Sequence, residues 1–179
     1  MANFSTDTDL QFYQPDILDF GIASFSSHND YHAQARLDIE RDLRIRWFPV
    51  YQRNVVEDIS VLDSIEMDGT LLTDAQFKRL SVFRVIGFYA CTQLTKFNND
   101  SNQDRFQIMM DYYQRQYSSE FEILLRDGIE YDDDNSGTVT SSEKEPYHRL
   151  RLVRWQLKLA TIHCKLLKTL KNKLENNPL

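Results

Sequence analysis

The sequence predicts a mainly α-helical protein: about four helices packed as a bundle, with an acidic loop or short β segment and a C-terminal helical arm. Three observations point there. Only five glycines and four prolines interrupt 179 residues, too few for the turns of a sandwich or barrel. Apolar side chains recur at steps of three and four over several long stretches, the period of an amphipathic helix. Hydrophobic residues make up 41% and aromatics 12% of the chain, enough to fill one core.

Taken in order, residues 1–26 are polar and aromatic with Pro15 and Gly21 and read as an extended N-terminal arm. "HNDYHAQARLDIERDLRIRWF" reads as the first helix, with Ala35, Ile39, Leu43 and Trp47 on one face and charges on the other. Pro49 is expected to stop it and to leave residues 50–72 irregular, with a turn at Asp68-Gly69. Thr73 and Gln76 have the spacing of a capping box at the start of a second, largely apolar helix, "FKRLSVFRVIGFYACTQLTKF". A third helix opens near Ser101 and Asp104. It presents Phe106, Met109, Met110, Tyr113, Tyr117, Phe121 and Leu124, and ends at Asp127-Gly128. The body thus runs over 27–145, and residues 146–179 form a basic arm whose helix spans about 147–174. Its seam is Leu152, Trp155, Leu159, Ile162 and Leu166.

Charge is unevenly placed. From Lys144 onward there are 9 Lys or Arg and 2 Glu, a net of +7. Residues 1–143 therefore hold 12 basic (21 less 9) and 25 acidic residues (27 less 2), a net of −13. An acidic body with a basic tail suits docking on an acidic partner, on nucleic acid or on a neighbouring copy; the alternative is that the tail lies on its own body. No apolar run reaches the roughly 18–20 residues of a membrane-spanning helix. The opening "MANFSTDTDLQFYQPD" has neither a basic nor an apolar region and is not expected to be a secretory signal. Cys91 and Cys164 lie in helix-like segments without metal-ligand spacing and read as buried thiols.

The acidic loop "YDDDNSGTVTSSE" carries the most specific chemistry. Counted from Asp132, oxygen-bearing residues fall at positions 1, 3, 5, 7, 9 and 12: Asp132, Asp134, Ser136, Thr138, Thr140 and Glu143. Gly137 stands at position 6. Calcium takes six to eight oxygens, and an EF-hand loop supplies them from these positions, with glycine at 6 for the sharp turn. A second reading stays open: a metal-free turn whose Asp and Ser side chains cap their own backbone. Pro146 follows closely and no second loop exists to pair with, so an ion here is expected to be a structural clamp.

Other signals are weaker. His28 and His32 lie one helical turn apart without a clear third ligand. There is no Gly-rich phosphate loop, HExxH or GxSxG, and the chain is expected not to be an enzyme. "YHRLRLVRW" sets Arg149, Arg151 and Arg154 beside Trp155, a pairing that suits nucleic-acid contact or a protein interface. With an acidic body, the protein partner is preferred. The candidate partner-binding residues are Arg149, Arg151, Arg154, Trp155, Leu159, Ile162 and Leu166.

Two stretches, "LLTDAQFKRLSVFRVIGFYACTQLTKF" and "FQIMMDYYQRQYSSEFEILLRDGIEYDDDNSGTV", resemble the head–tail connector or adaptor (neck) proteins of tailed bacteriophages. The matching features are Gln76-Phe77-Lys78-Arg79-Leu80, the aromatic run Tyr112 to Phe121 and the acidic Tyr131 to Val139; "RDLRIRWF" fits a first helix. The resemblance implies a structural virion protein in the particle neck, assembled in the host cytoplasm. Its subunits would form a homo-oligomeric ring, usually of about twelve copies, below the portal. Such a ring joins the portal to a downstream neck or tail protein and continues the DNA channel without sequence-specific binding. Acidic residues facing that channel would repel DNA and let it slide. The C-terminal arm is the natural segment to reach the portal or a neighbouring subunit. The alternative is a calcium-responsive helical binding module with a single EF-hand-like loop.

Overall fold

A computed structural model describes residues 2–22, 24–26, 30–55, 66–95, 104–141 and 143–144. The described part is mainly helical, as expected. The basic segment with Arg149, Arg151, Arg154, Trp155, Leu159, Ile162 and Leu166 lies outside the described residues, as do Cys164, Pro146 and His28.

Helices α4 (Asp74–Arg84) and α6 (Arg105–Asp127) form the centre of the packing. α4 continues through a π-helical turn (Val85–Ala90) into α5 (Cys91–Leu94), so the predicted second helix is one element with a widened middle. Gln114 of α6 donates to the Gly87 carbonyl in that turn at 3.2 Å, which serves an acceptor loosened by the wider helix. α6 turns Tyr113, Tyr117, Phe121, Leu124 and Leu125 inward and ends at Gly128 as its sequence predicts.

α2 (Tyr31–Arg46) is capped by Asp30, whose carboxylate accepts the Ala33 N–H at 3.0 Å. Ala35, Ile39, Leu43 and Trp47 are all buried, matching the apolar stripe. The expectation that charge stays on the outer face is overturned: Arg36, Asp38 and Glu40 are buried too. Pro49 does not end helical structure, because a second helix, α3 (Phe48–Val55), starts around it. Proline lacks the N–H that would continue the ladder, yet it is tolerated in a first turn, where that N–H has no partner anyway.

The extended N-terminal arm is also corrected. Residues Asp7–Tyr13 form α1, closed by a Thr6–Asp9 capping box. Phe4, Leu10, Ile17 and Phe25 are core residues. Apolar side chains spaced at irregular intervals give no period, yet each finds its own slot: Phe4 packs on Phe77 and Tyr13 edge-on to Phe83.

Candidate metal-binding loop

The acidic loop is positioned by everything that holds Tyr131. A single antiparallel bridge pairs Leu72 with Tyr131, and Asp132 donates its N–H to the Leu71 carbonyl at 3.0 Å. Gln76 does not close the predicted box with Thr73, which makes no side-chain cap bond. Its amide instead donates to the Gly128 carbonyl at 2.8 Å and accepts from the Glu130 N–H at 2.9 Å. The neighbouring backbone serves the Glu130 carbonyl, which accepts from the Thr73 N–H at 3.2 Å; the Gly128 carbonyl and the Glu130 N–H are met by one carboxamide instead.

On the other side Tyr131 closes a ring cluster with Trp47, Phe48 and Tyr51. Its ring centroid lies 5.5 Å from Trp47, 6.1 Å from Phe48 and 5.5 Å from Tyr51, all edge-on. The Tyr51 hydroxyl hydrogen-bonds the Asp133 carboxylate, and burial followed by the negative charge of Asp133 pushes that hydroxyl well above its usual range. The loop is thereby tied to the start of α3, 80 residues earlier in sequence.

Within the loop, the Asp132 carboxylate accepts from the Ser136 N–H at 3.0 Å and the Gly137 N–H at 2.7 Å. Gly137 has φ +81, a left-handed conformation that glycine adopts without steric cost. Glu143 folds back so that one oxygen accepts from the Asp133 N–H at 3.1 Å and the other from the Thr140 N–H at 2.7 Å and hydroxyl at 2.6 Å. Lys144 pairs with Glu130 and pins the end of the loop.

Of the six predicted ligand residues, Asp132, Asp134 and Glu143 bring carboxylate oxygens within 4.8 Å of one another. Ser136 and Thr138 stand beside them: the Ser136 hydroxyl lies 3.4 Å from Asp132 and donates to the Thr138 carbonyl at 3.2 Å. The Thr140 hydroxyl is directed at Glu143. Hydrogen bonds from the Ser136 hydroxyl and amide hold Asp134 below the usual carboxylate range, and those from Thr140 do the same for Glu143. Three carboxylates with a carbonyl nearby are donors of the hard oxygen type that calcium prefers, but they supply four of the six to eight oxygens it takes.

A second polar cluster carries no signal at sequence level. Ser5 Oγ lies 2.8 Å from His32 Nδ1 and 2.7 Å from Ser81 Oγ, and His32 Nε2 lies 2.9 Å from Asp7. Serine, histidine and aspartate in a row suggest a nucleophile relay, but a nucleophile must touch its substrate. Ser5, His32 and Ser81 are buried in the core, so this set clamps the N-terminal segment onto α2 and α4. Its members come from positions 5, 7, 32 and 81, a grouping that only the fold makes. No family model, curated protein or solved structure matches this chain.

Proposed function

We propose that the chain is a non-catalytic subunit of a tailed-bacteriophage neck, a head–tail connector. Its copies form a ring below the portal and meet a downstream neck or tail protein, with DNA passing through the lumen. The observation that carries this reading is that the sequence segments behind the resemblance form one packed unit. Gln76, from the "QFKRL" segment on α4, holds Gly128 and Glu130 at the exit of the aromatic helix α6, directly ahead of the acidic loop. Among the described residues five large apolar side chains (Phe12, Leu37, Ile45, Ile108 and Tyr112) are exposed, which suits a protein with further surfaces to cover. Co-expression with a portal protein followed by negative-stain microscopy tests it. Ring-shaped density on the portal is expected, and a monomer that ignores the portal overturns the reading.

A second reading is favoured by the convergence of Asp132, Asp134 and Glu143: a calcium-binding loop, acting as a clamp or as the centre of a calcium-responsive module. When bound, the ion would supply a charge that holds these oxygens together. The chain's own part is to present them, through Asp132 and Gly137 at the turn and Glu143 at the close. Titration calorimetry with calcium chloride, read alongside Trp47 fluorescence in a Trp155→Phe chain, is expected to show binding. No heat and no spectral change removes this reading.

A further inference from the structure

The exposed apolar side chains fall on faces of opposite charge. On α2, Leu37 (58% exposed) and Ile45 (66% exposed) stand about 12 Å apart along the axis. Arg41 and Arg44, both exposed, share an arc of about 100° with them. Of the acidic residues of α2, Glu40 is buried against Arg36 and Asp42 accepts from the Tyr117 hydroxyl. Asp38 is buried too, but it is shared between Arg84 at 2.9 Å and Arg41 at 3.4 Å, so Arg44 is the cation of this face without an ion pair among the described residues. The outer face of α2 is therefore apolar and basic.

The N-terminal segment is the reverse. Residues 1–35 contain no Lys or Arg, and their only charged carboxylates are Asp7, Asp9, Asp16, Asp19 and Asp30. Three of these are engaged: Asp7 with His32, Asp9 with Lys78, and Asp30 at the cap of α2. Asp16 and Asp19 are exposed and carry no ion pair among the described residues. Four residues before Asp16 in sequence, Phe12 is 82% exposed, the most of any large apolar side chain among the described residues. The exposed pair Ile108 and Tyr112 on α6 has Arg105 and Arg115 on either side but also the half-buried Asp111 next to Tyr112. Arg105 already lies over the Phe20 and Phe106 rings at 4.4 Å and 4.7 Å, so this patch is of mixed charge and the poorer complement to Asp16 and Asp19.

We propose that the Phe12–Asp16–Asp19 face of one copy docks on the Leu37–Arg41–Arg44–Ile45 face of a second copy. This contact rests on the ring reading above and names the surfaces that would build the ring. Within one chain the two faces do not cover each other, since both stay open to solvent at once. Two different, mutually complementary surfaces on one molecule make a head-to-tail contact, which closes into a ring when the rotation between copies allows.

A charge-swap experiment on the full chain tests it. Arg41→Glu with Arg44→Glu makes one variant, and Asp16→Lys with Asp19→Lys the other. Sedimentation equilibrium at the highest attainable concentration reads self-association, and circular dichroism confirms helical content. Each variant alone is expected to associate about tenfold to a hundredfold more weakly than wild type. An equimolar mixture is expected to recover, because every junction in an alternating assembly then joins opposite charges. Phe12→Asp, which leaves the fold's core untouched, is expected to weaken association as well. A wild-type chain that stays monomeric in this assay overturns the contact; the ring reading itself falls only if the portal experiment also fails. A wild type that associates while both swapped variants do so equally, or a mixture that does not recover, overturns the choice of faces alone.

Discussion

Around α2, Asp38 and Glu40 lie almost out of reach of water, whereas Asp134 in the acidic loop stands in it. The two regions solve the same electrostatic problem with different partners. Glu40 is met by Arg36 at 2.8 Å, and Arg36 also bonds Asp74 and the Gly69 carbonyl at 2.8 Å each, reaches the Ala2 carbonyl, and lies over the Phe4 ring at 4.2 Å. Asp38 is met by Arg84 at 2.9 Å and by the Tyr89 hydroxyl. The loop carboxylates are met mainly by their own backbone amides and hydroxyls. Cations fix the first region into a single arrangement; among the described residues none pairs with Asp132, Asp134 or Glu143. That difference separates a structural element from a surface able to take an ion.

Removing the cation from the buried region is the strongest way to break this contrast. Arg36→Met leaves Glu40 buried without its partner and frees two carbonyls, a loss of about 3–5 kcal/mol by urea denaturation. A loss below 1 kcal/mol, about the scale of an exposed pair, would show that the two regions do not differ. Asp38→Asn tests the same region through pH. Burial alone would raise the Asp38 carboxyl, but hydrogen bonds from Tyr89 and Arg84 and the charges of Arg84 and Arg41 outweigh it and hold it below its ordinary 3.8. A folded value below the unfolded one adds stability that is present above pH 3.8 and drains away as pH falls through the folded value. The variant is expected to be less stable than wild type by about 1.5–3 kcal/mol at neutral pH. The gap should close on acidification, and a gap that stays constant with pH would assign Asp38 a packing role alone.

Packing gives the next effect. A Cβ added at Gly69 would sit 2.5 Å from Glu40 Oε1, and that carboxylate cannot swing away because Arg36 holds it. Gly69→Ala is expected to cost about 1–3 kcal/mol. Gly69→Ala in an Arg36→Met background sharpens the point: Glu40 is then free to yield, and the two losses should fall short of their sum.

These buried charges also mark where sequence reading stopped. The stripes of α2 and α6 and the close of α6 at Gly128 were legible because a helix buries every third or fourth residue and glycine ends it. Arg36, Asp38 and Glu40 sit on the same helix at positions that composition assigns to the outside. Arg36 and Glu40 pair locally, but the groups that meet Arg36 and Asp38 from other elements, Asp74, Arg84 and Tyr89, lie dozens of residues away. Gln76 was misread for a related reason: its spacing to Thr73 is local, while Gly128 and Glu130, which it serves, are not. α1 was missed because seven residues carry too short a period to register. The acidic loop shows the converse. Its six oxygen-bearing residues were legible because they all fall between Asp132 and Glu143 at a fixed local spacing, and the fold brings carboxylate oxygens of Asp132, Asp134 and Glu143 within 4.8 Å of one another.

Glu143→Gln probes the exposed side of the contrast and carries the smallest expected effect. Two neutral-amide properties matter: the charge is lost, and one of the two acceptor oxygens becomes a donor. The Asp133 N–H and the Thr140 N–H and hydroxyl, now served by Glu143, can turn to water, so the metal-free variant is expected to unfold at the same urea midpoint as wild type. Under the calcium reading the same substitution removes one of three convergent carboxylates and should abolish the Trp47 response to calcium chloride. Equal stability with and without calcium in both chains would leave the loop as a turn closed by its own hydrogen bonds. A large loss in the metal-free variant would instead place Glu143 with Glu40, as a carboxylate on which the fold depends.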